Sequence, residues 1–274
     1  MINVRNLEFS YPKHLVFSGI NIQLEEGKIY GLLGENGVGK TTLLKILAGL
    51  LKSSNGECTV DGVNPFKRTP EYLQNIFFVP EDFPIPSSSI KRFVDSIAPF
   101  YPNYNATLLN DLLKDFDLDS SKEFTKLSMG QAKKAFISVA LSLQTKFLLM
   151  DEPSNGLDIP SKAELRKVIS RASTENNTII ISTHQVKDLE NLIDPIIILD
   201  SEGILLNASI EEITNKLYFS VETTADKDAL YAEPTLAGVS EVKPNNENIE
   251  SKVDLEILFD AAITNKEKFI ELFK

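Results

Sequence analysis

Residues 34–42 concentrate groups that could grip a phosphate: Gly34-Glu35-Asn36-Gly37-Val38-Gly39-Lys40-Thr41-Thr42. They fit the spacing G-x-x-x-x-G-K-[ST]. Glycines allow the backbone to curl until successive N–H groups converge on one anion. A helix starting at the end of the loop adds positive partial charge at the same point. Lys40 can then reach the β- and γ-phosphates of a nucleotide, and the Thr41 hydroxyl can ligate Mg²⁺. A second cluster is Phe147-Leu148-Leu149-Met150-Asp151-Glu152-Pro153, an apolar run followed by two carboxylates. Such a run describes a core strand that delivers its acids at the carboxyl edge of a sheet, where open α/β folds bind ligands. Asp151 is placed to hold Mg²⁺, directly or through water. Glu152, one residue on, points elsewhere, towards an attacking water. Phosphate chemistry needs both roles, charge neutralisation and an oriented nucleophile.

The elements that must hold these groups are legible on either side. Residues 28–33 read as a short buried strand and 43–50 as a helix, the frame the glycine loop requires. Upstream, Ile2, Val4, Leu7 and Phe9, then Val16, Ile20, Ile22 and Leu24, alternate as strands do, with turns at Tyr11-Pro12 and Glu26-Gly27. With another strand over 56–62 they predict a small antiparallel sheet beside the nucleotide core. Residues 75–80 form a buried strand ended by Pro80. Within 87–127, Ile90, Phe93, Val94 and Ile97, then Leu108, Leu109, Leu112, Leu113 and Phe116, recur at helical spacing around Pro99 and Pro102. That predicts a helical insertion. Helices over 130–143, 161–173 and 185–193 alternate with strands over 147–150, 178–182 and 195–200, which implies a parallel sheet covered on both faces. Past about residue 215 the pattern changes. A strand over 217–222, a polar loop over 243–251 and short helices over 254–262 and 266–273 are expected, with Asn265 as a helix cap.

Composition narrows the function classes. The chain has 274 residues, 42% hydrophobic and 24% charged, an ordinary globular balance. A net charge of -11 argues against a nucleic-acid binder, which would show a basic face. Cys58 is the only cysteine and reads as a buried strand residue, in keeping with a reducing cytosol. No apolar run reaches the roughly 18 residues that cross a bilayer, and the N-terminus lacks a signal-peptide layout. A membrane role is therefore expected to come through a partner. His14 has no chemical context and reads as a surface residue.

Leu127-Ser128-Met129-Gly130-Gln131, at the start of a helix, resembles the LSGGQ signature of ATP-binding-cassette (ABC) ATPases. Ser154-Asn155-Gly156-Leu157-Asp158 resembles the family's D-loop, His184 its switch histidine, and Tyr11 the aromatic that stacks on adenine. Together with residues 34–42 and 147–152, the order and spacing look like that family over residues 1–210. The resemblance implies a P-loop NTPase fold of the α/β class: a RecA-like parallel sheet with flanking helices, an antiparallel β subdomain and a helical subdomain, to which the residues past 215 add a small α/β C-terminal tail that carries no recognised motif. It divides the chain into a nucleotide-binding domain over 1–215, with the helical subdomain at about 87–127 plus the signature helix 130–143, and an extension over 216–274.

The same resemblance assigns roles. ATP and Mg²⁺ would be held by residues 34–42 and Asp151. Glu152 would polarise water, and His184 would hydrogen-bond the γ-phosphate. Ser128 and Gly130 would close on ATP bound to a second ATPase subunit, in a homodimer that sandwiches the nucleotide, with Asp158 shaping the contact. A separate integral membrane subunit would carry the substrate, and the ATPase would sit on the cytoplasmic face of the membrane. Two positions depart from the pattern. Met129 stands where the signature usually has glycine. Glu81 stands where the Q-loop glutamine is usual, which resembles the ABC-2-type exporter subset. Glu81 can still meet Mg²⁺ or water as an acceptor, without the donors of an amide. A soluble ABC ATPase acting in assembly or regulation fits the same motifs. Glu152 and His184 argue against a module that binds ATP without turning it over.

Overall fold

The computed structural model describes residues 1–273. Strands β1 (Ile2–Tyr11) and β2 (His14–Leu24) pair antiparallel and bury alternate residues, so one face packs and the other meets water. β3 (Ile29–Leu33) leads into the glycine loop and helix α1 (Lys40–Leu47). β4 (Asn55–Val60) returns to pair with β1 and completes a sheet ordered β2-β1-β4. This is the expected antiparallel subdomain. Cys58 lies buried on β4, where burial pushes its thiol up to about 12.

Helix α2 (Pro70–Gln74) and strand β5 (Ile76–Val79) precede the helical region, built from α3 (Ile90–Ile97), α4 (Ala106–Asp115) and α5 (Met129–Ser142). Ser89 and Asn105 cap α3 and α4 with their side chains. Phe83, in the loop after β5, stacks on Phe136 of α5 with ring centroids 4.4 Å apart. The loop carrying Glu81 is thereby packed against the helix that begins at Ser128.

The core is a six-stranded sheet made with β6 (Phe147–Asp151), β7 (Thr178–Thr183), β8 (Ile196–Asp200) and β9 (Gly203–Ala208), in the order β5-β6-β7-β3-β8-β9. Every residue of β6, β7 and β8 is buried. Continuous apolar runs are what a parallel strand covered on both faces requires. Helix α6 (Ile159–Ala172) links β6 to β7. The parallel order brings the carboxyl ends of β3, β6 and β7 side by side.

The chain continues through α7 (Ile210–Lys216) and a third sheet, ordered β10-β12-β11, of β10 (Leu217–Glu222), β11 (Tyr231–Thr235) and β12 (Gly238–Pro244). It ends in α8 (Leu255–Thr264) and α9 (Lys266–Leu272). Leu255, Leu258 and Phe269 share one buried cluster with Ile196, Ile198 and Leu206 of the core sheet.

Four local expectations need correction. Residues 185–193 do not form a helix; a single 3₁₀ turn spans Val186–Leu189. The chain must swing back at once, because Asp194 N donates to Ile29 O at 2.8 Å and Ile193 fills the space beside Gly31. Strands β9, β11 and β12 occupy stretches with no predicted strand, and β12 takes the first residues of the expected 243–251 loop. Their half-polar sequences become strands only because a partner edge is present. Asn265 does not cap α9: its side-chain amide donates to Leu230 O instead. Asp254 is the residue that caps here, on α8, accepting from Glu256 N and Ile257 N.

Candidate nucleotide-binding and hydrolysis site

The glycine loop is shaped by what surrounds it. A Cβ on Gly34 would stand 2.5 Å from Leu199 O, so only glycine fits against β8. Gly39 holds φ at 111° and begins α1 with no side-chain cap. The first N–H groups of α1 therefore keep their donors for an anion in the loop. Lys40 is buried and folds back, donating to Gly34 O at 2.7 Å and Glu35 O at 3.0 Å. Burial holds its pKa below the usual lysine range, against the pull of Glu152 and Asp151.

Asp151 ends β6 beside Ser182 of β7. Its Oδ2 accepts from Thr41 Oγ1 at 2.7 Å, and its Oδ1 from Ser182 Oγ at 2.6 Å. A buried carboxylate and a hydroxyl in contact form an oxygen-only donor pair of the sort a hard cation such as Mg²⁺ takes, with phosphate and water completing its shell. No cluster of three or more His, Cys, Asp or Glu able to hold a metal occurs among the described residues. The pair thus fits a cation bound jointly with a phosphate.

Glu152 turns away from the strand with φ at 45°, the left-handed region that costs a non-glycine residue about 1–3 kcal/mol. Its N–H is held by Ser182 O at 3.1 Å. The turn sends its carboxylate back over the loop: Oε1 lies 2.8 Å from His184 Nδ1 and 3.7 Å from Lys40 Nζ. Oε2 is buried with no hydrogen-bond partner among the described residues. A buried acceptor without a donor stands ready for a proton-bearing ligand such as water.

Lys40, Thr41, Glu152 and His184 line a cavity of about 570 Å³ together with Tyr11, Asn36, Gly37, Gly39, Thr42, Glu81 and Asn155, while Gly34 and Asp151 stand behind its wall. Tyr11 closes one side, its hydroxyl 3.4 Å from Thr42 Oγ1 and its ring edge-on to Phe9. Glu81 meets the cavity from the loop after β5, where its Oε1 accepts from Asn155 Nδ2 at 2.6 Å. Ser128 and Gly130 are not among the lining residues. Ser128 caps α5 in a reciprocal capping box with Gln131, and Gly130 faces Leu157. Met129 between them is 66% exposed and points to solvent rather than crowding the loop. Asp158 caps α6 through Ser161 N at 2.9 Å.

The structure adds residues that were not singled out. His14 is exposed, in line with its reading as a surface residue, and from its place opposite Tyr11 in the β1–β2 hairpin it also lines the cavity beside Val16. Ser182 orients Asp151. Lys133, buried on α5, donates to Glu152 O and Asn155 O, each at 2.9 Å. A lysine two places after Gln131 was the only signal for it, and nothing in sequence says which carbonyls it meets.

Comparison with known proteins gives a consistent family. The family model described as "ABC transporter" matches residues 17–155. The ABC transporter ATP-binding protein YtrB of Bacillus subtilis is 26% identical over 230 residues, covering 83% of this chain and 78% of its own. The lantibiotic transport ATP-binding protein SrtF of Streptococcus pyogenes is 31% identical over 196 residues, covering 71% of this chain and 84% of its own. Among solved structures, one titled as the ATP-binding subunit of an ABC transporter superposes with a TM-score of 0.71 at 23% identity, over 78% of this chain and 91% of that one. At that identity the likeness supports the fold alone.

Proposed function

The chain belongs to the ABC transporter family as an ATP-binding and ATP-hydrolysing subunit, and from that premise we propose how its cavity works and what it drives. The observation that carries the reading is the buried Glu152 carboxylate, held between His184 and Lys40 at the mouth of the glycine loop. Residues 34–42 cradle the phosphates through loop and α1 N–H groups. Lys40 exchanges its carbonyl partners for β- and γ-phosphate oxygens. Glu152 accepts a proton from the attacking water, and His184 hydrogen-bonds the γ-phosphate while orienting Glu152. Thr41 and Asp151 would hold Mg²⁺, and Glu81, on the wall of the same cavity, would serve as an acceptor for the ion or its water. That ion would neutralise charge on the transferring phosphoryl group. Tyr11 stacks on the adenine.

We infer that the site is completed in a homodimer. Ser128 and Gly130 lie outside the cavity of their own chain, and Met129 between them stands exposed. Asp158 sets the position of that surface through the start of α6. No helix among the described residues is long and apolar enough to cross a membrane. We propose that the substrate path lies in a separate integral membrane subunit, with this chain bound at its cytoplasmic face, a reading supported by the likeness to proteins named as ATP-binding components of transporters. We propose export as the direction, on the strength of Glu81 and of the likeness to a protein named for lantibiotic transport. Residues 216–274 act as a C-terminal extension of the 1–215 domain. Detergent extraction and affinity purification from the native cell test the whole reading. Co-purification of a polytopic membrane protein is expected; a purely soluble complex would overturn the transport role.

A further inference from the structure

A line of hydrogen bonds crosses the wall of the cavity, and of its members only Glu81 enters the scheme above. Lys162 of α6 donates to Gln185 Oε1 at 2.8 Å. Gln185 Nε2 donates to Asn155 Oδ1 at 3.3 Å, and Asn155 Nδ2 donates to Glu81 Oε1 at 2.6 Å. A lysine can only donate and an ionised carboxylate can only accept. The two amides are therefore fixed in orientation by the ends of the line, and their dipoles run one way from cation to anion. In such an arrangement each bond polarises the next. Lys162 is anchored by Asp188 at 2.7 Å. Asn155 is held a second time, because its carbonyl and that of Glu152 share the Lys133 ammonium. The loop after β5, α5 and the segment after His184 all meet at this one residue of the turn after β6, and α6 joins them through Gln185.

We propose that Asn155 is a positioning residue for hydrolysis, fixing the Glu152 turn and the His184–Gln185 segment against Glu81 through the one-way line Lys162→Gln185→Asn155→Glu81. The proposal rests on the reading of the cavity as an ATPase site. Its physical basis is that Glu152 sits in a strained turn, where a shift of about 1 Å can cost on the order of 10²-fold in rate. The position of that turn is set by Lys133 and by Asn155 together.

The test is a set of exchanges that reverses one link. Asn155→Asp keeps an acceptor for Gln185 but sets two carboxylates face to face at Glu81. Adding Glu81→Gln gives position 81 an amide that donates to the new aspartate, so the bridge is rebuilt with donor and acceptor exchanged. Asp82→Asn removes the same charge one residue away, without the contact, and is the control. Steady-state ATP turnover of the full chain is measured with ATP and Mg²⁺, and urea unfolding is run on each variant. Asn155→Asp should lower kcat at least about tenfold with KM within about twofold. The Asn155→Asp, Glu81→Gln double variant should recover at least about fivefold over Asn155→Asp alone, and the Asp82→Asn combination should not. Absence of recovery, equal recovery with Asp82→Asn, or coupling seen in stability but not in kcat would each overturn the positioning role. A wild-type chain with no turnover would remove the ATPase reading and this proposal with it, so the wild-type assay separates the two failures.

Discussion

Glu152→Gln is the most direct probe of the site, because the structure predicts that it separates chemistry from architecture. Glu152 is buried, with Oε1 at 2.8 Å from His184 Nδ1 and Oε2 lacking a partner among the described residues. In the glutamine variant Oε1 still accepts from His184, and the amide nitrogen occupies the place of Oε2. The change weakens the 3.7 Å ion pair with Lys40 but also replaces a buried, unpaired charged acceptor with a neutral amide nitrogen, which costs less to leave unpaired. Each effect is worth about 1–3 kcal/mol and they oppose one another, so net stability should move by no more than about 1 kcal/mol. Lys40 keeps its partners at Gly34 and Glu35, so ATP affinity should stay within about threefold, a change of less than about 0.7 kcal/mol. Proton removal from water is what the amide cannot do. A general base contributes about 10²–10⁴ in rate, or about 2.7–5.4 kcal/mol of barrier at about 1.36 kcal/mol per decade. Phosphate release at saturating ATP should therefore fall at least about 100-fold. Turnover within about tenfold of wild type, in a variant that unfolds normally and binds nucleotide, would refute Glu152 as the base. A stability loss above about 3 kcal/mol would instead mean that the carboxylate holds the turn together.

Lys40→Ala should weaken ATP binding about 10–100-fold, the worth of charge-assisted phosphate contacts at about 1.5–3 kcal/mol; unchanged affinity in a nucleotide titration would remove the loop assignment. Gly34→Ala should cost about 1–3 kcal/mol in urea unfolding, since its Cβ would meet Leu199 O at 2.5 Å and Val38 Cγ2 at 2.9 Å; a variant as stable as wild type would contradict the packing described. Lys266→Met removes the partner, at 2.5 Å, of the buried Asp200 carboxylate. Burial raises the pKa of Asp200, but Lys266 and backbone donors outweigh it and the net direction is down from 3.8. The pair thus stabilises fully above that pH, and the contribution is lost as pH falls through the lower native value. The variant should lose about 2 kcal/mol at neutral pH, discounted for the partly exposed lysine, and the gap should close on acidification; a gap constant from pH 7 to 3 would refute it. Deleting residues 216–274 should give an aggregating or unfolded product rather than a working core, because Leu217, Leu258 and Phe269 are fully buried in the same cluster as Ile196 and Ile198; a monodisperse, folded product in sizing and circular dichroism would show that the tail is separable.

The sequence alone determined the glycine-loop pattern, the two acids that follow an apolar run, and the alternation of strand and helix that carries them. Those features are local. Loop curvature, helix start and strand burial each depend on residues within a few positions, and the apolar runs at 147–150 and 178–182 are too short for helices and read as buried strands. Tertiary structure decided everything that depends on which chain ends meet. The pairing of β6 with β7 sets Ser182 on Asp151, and the turn at Glu152 brings it to His184, 32 residues away. Lys133 and Asn155 gained their meaning only from packing, because a buried ammonium is defined by the carbonyls that surround it. His14 entered the cavity only through the β1–β2 hairpin. Residues 185–193 look helical by apolar spacing, yet the need to rejoin β3 at Ile29 ends the helix after one turn. β9, β11 and β12 escaped notice for the converse reason: short, half-polar strands carry little signal until a neighbouring edge supplies their hydrogen bonds.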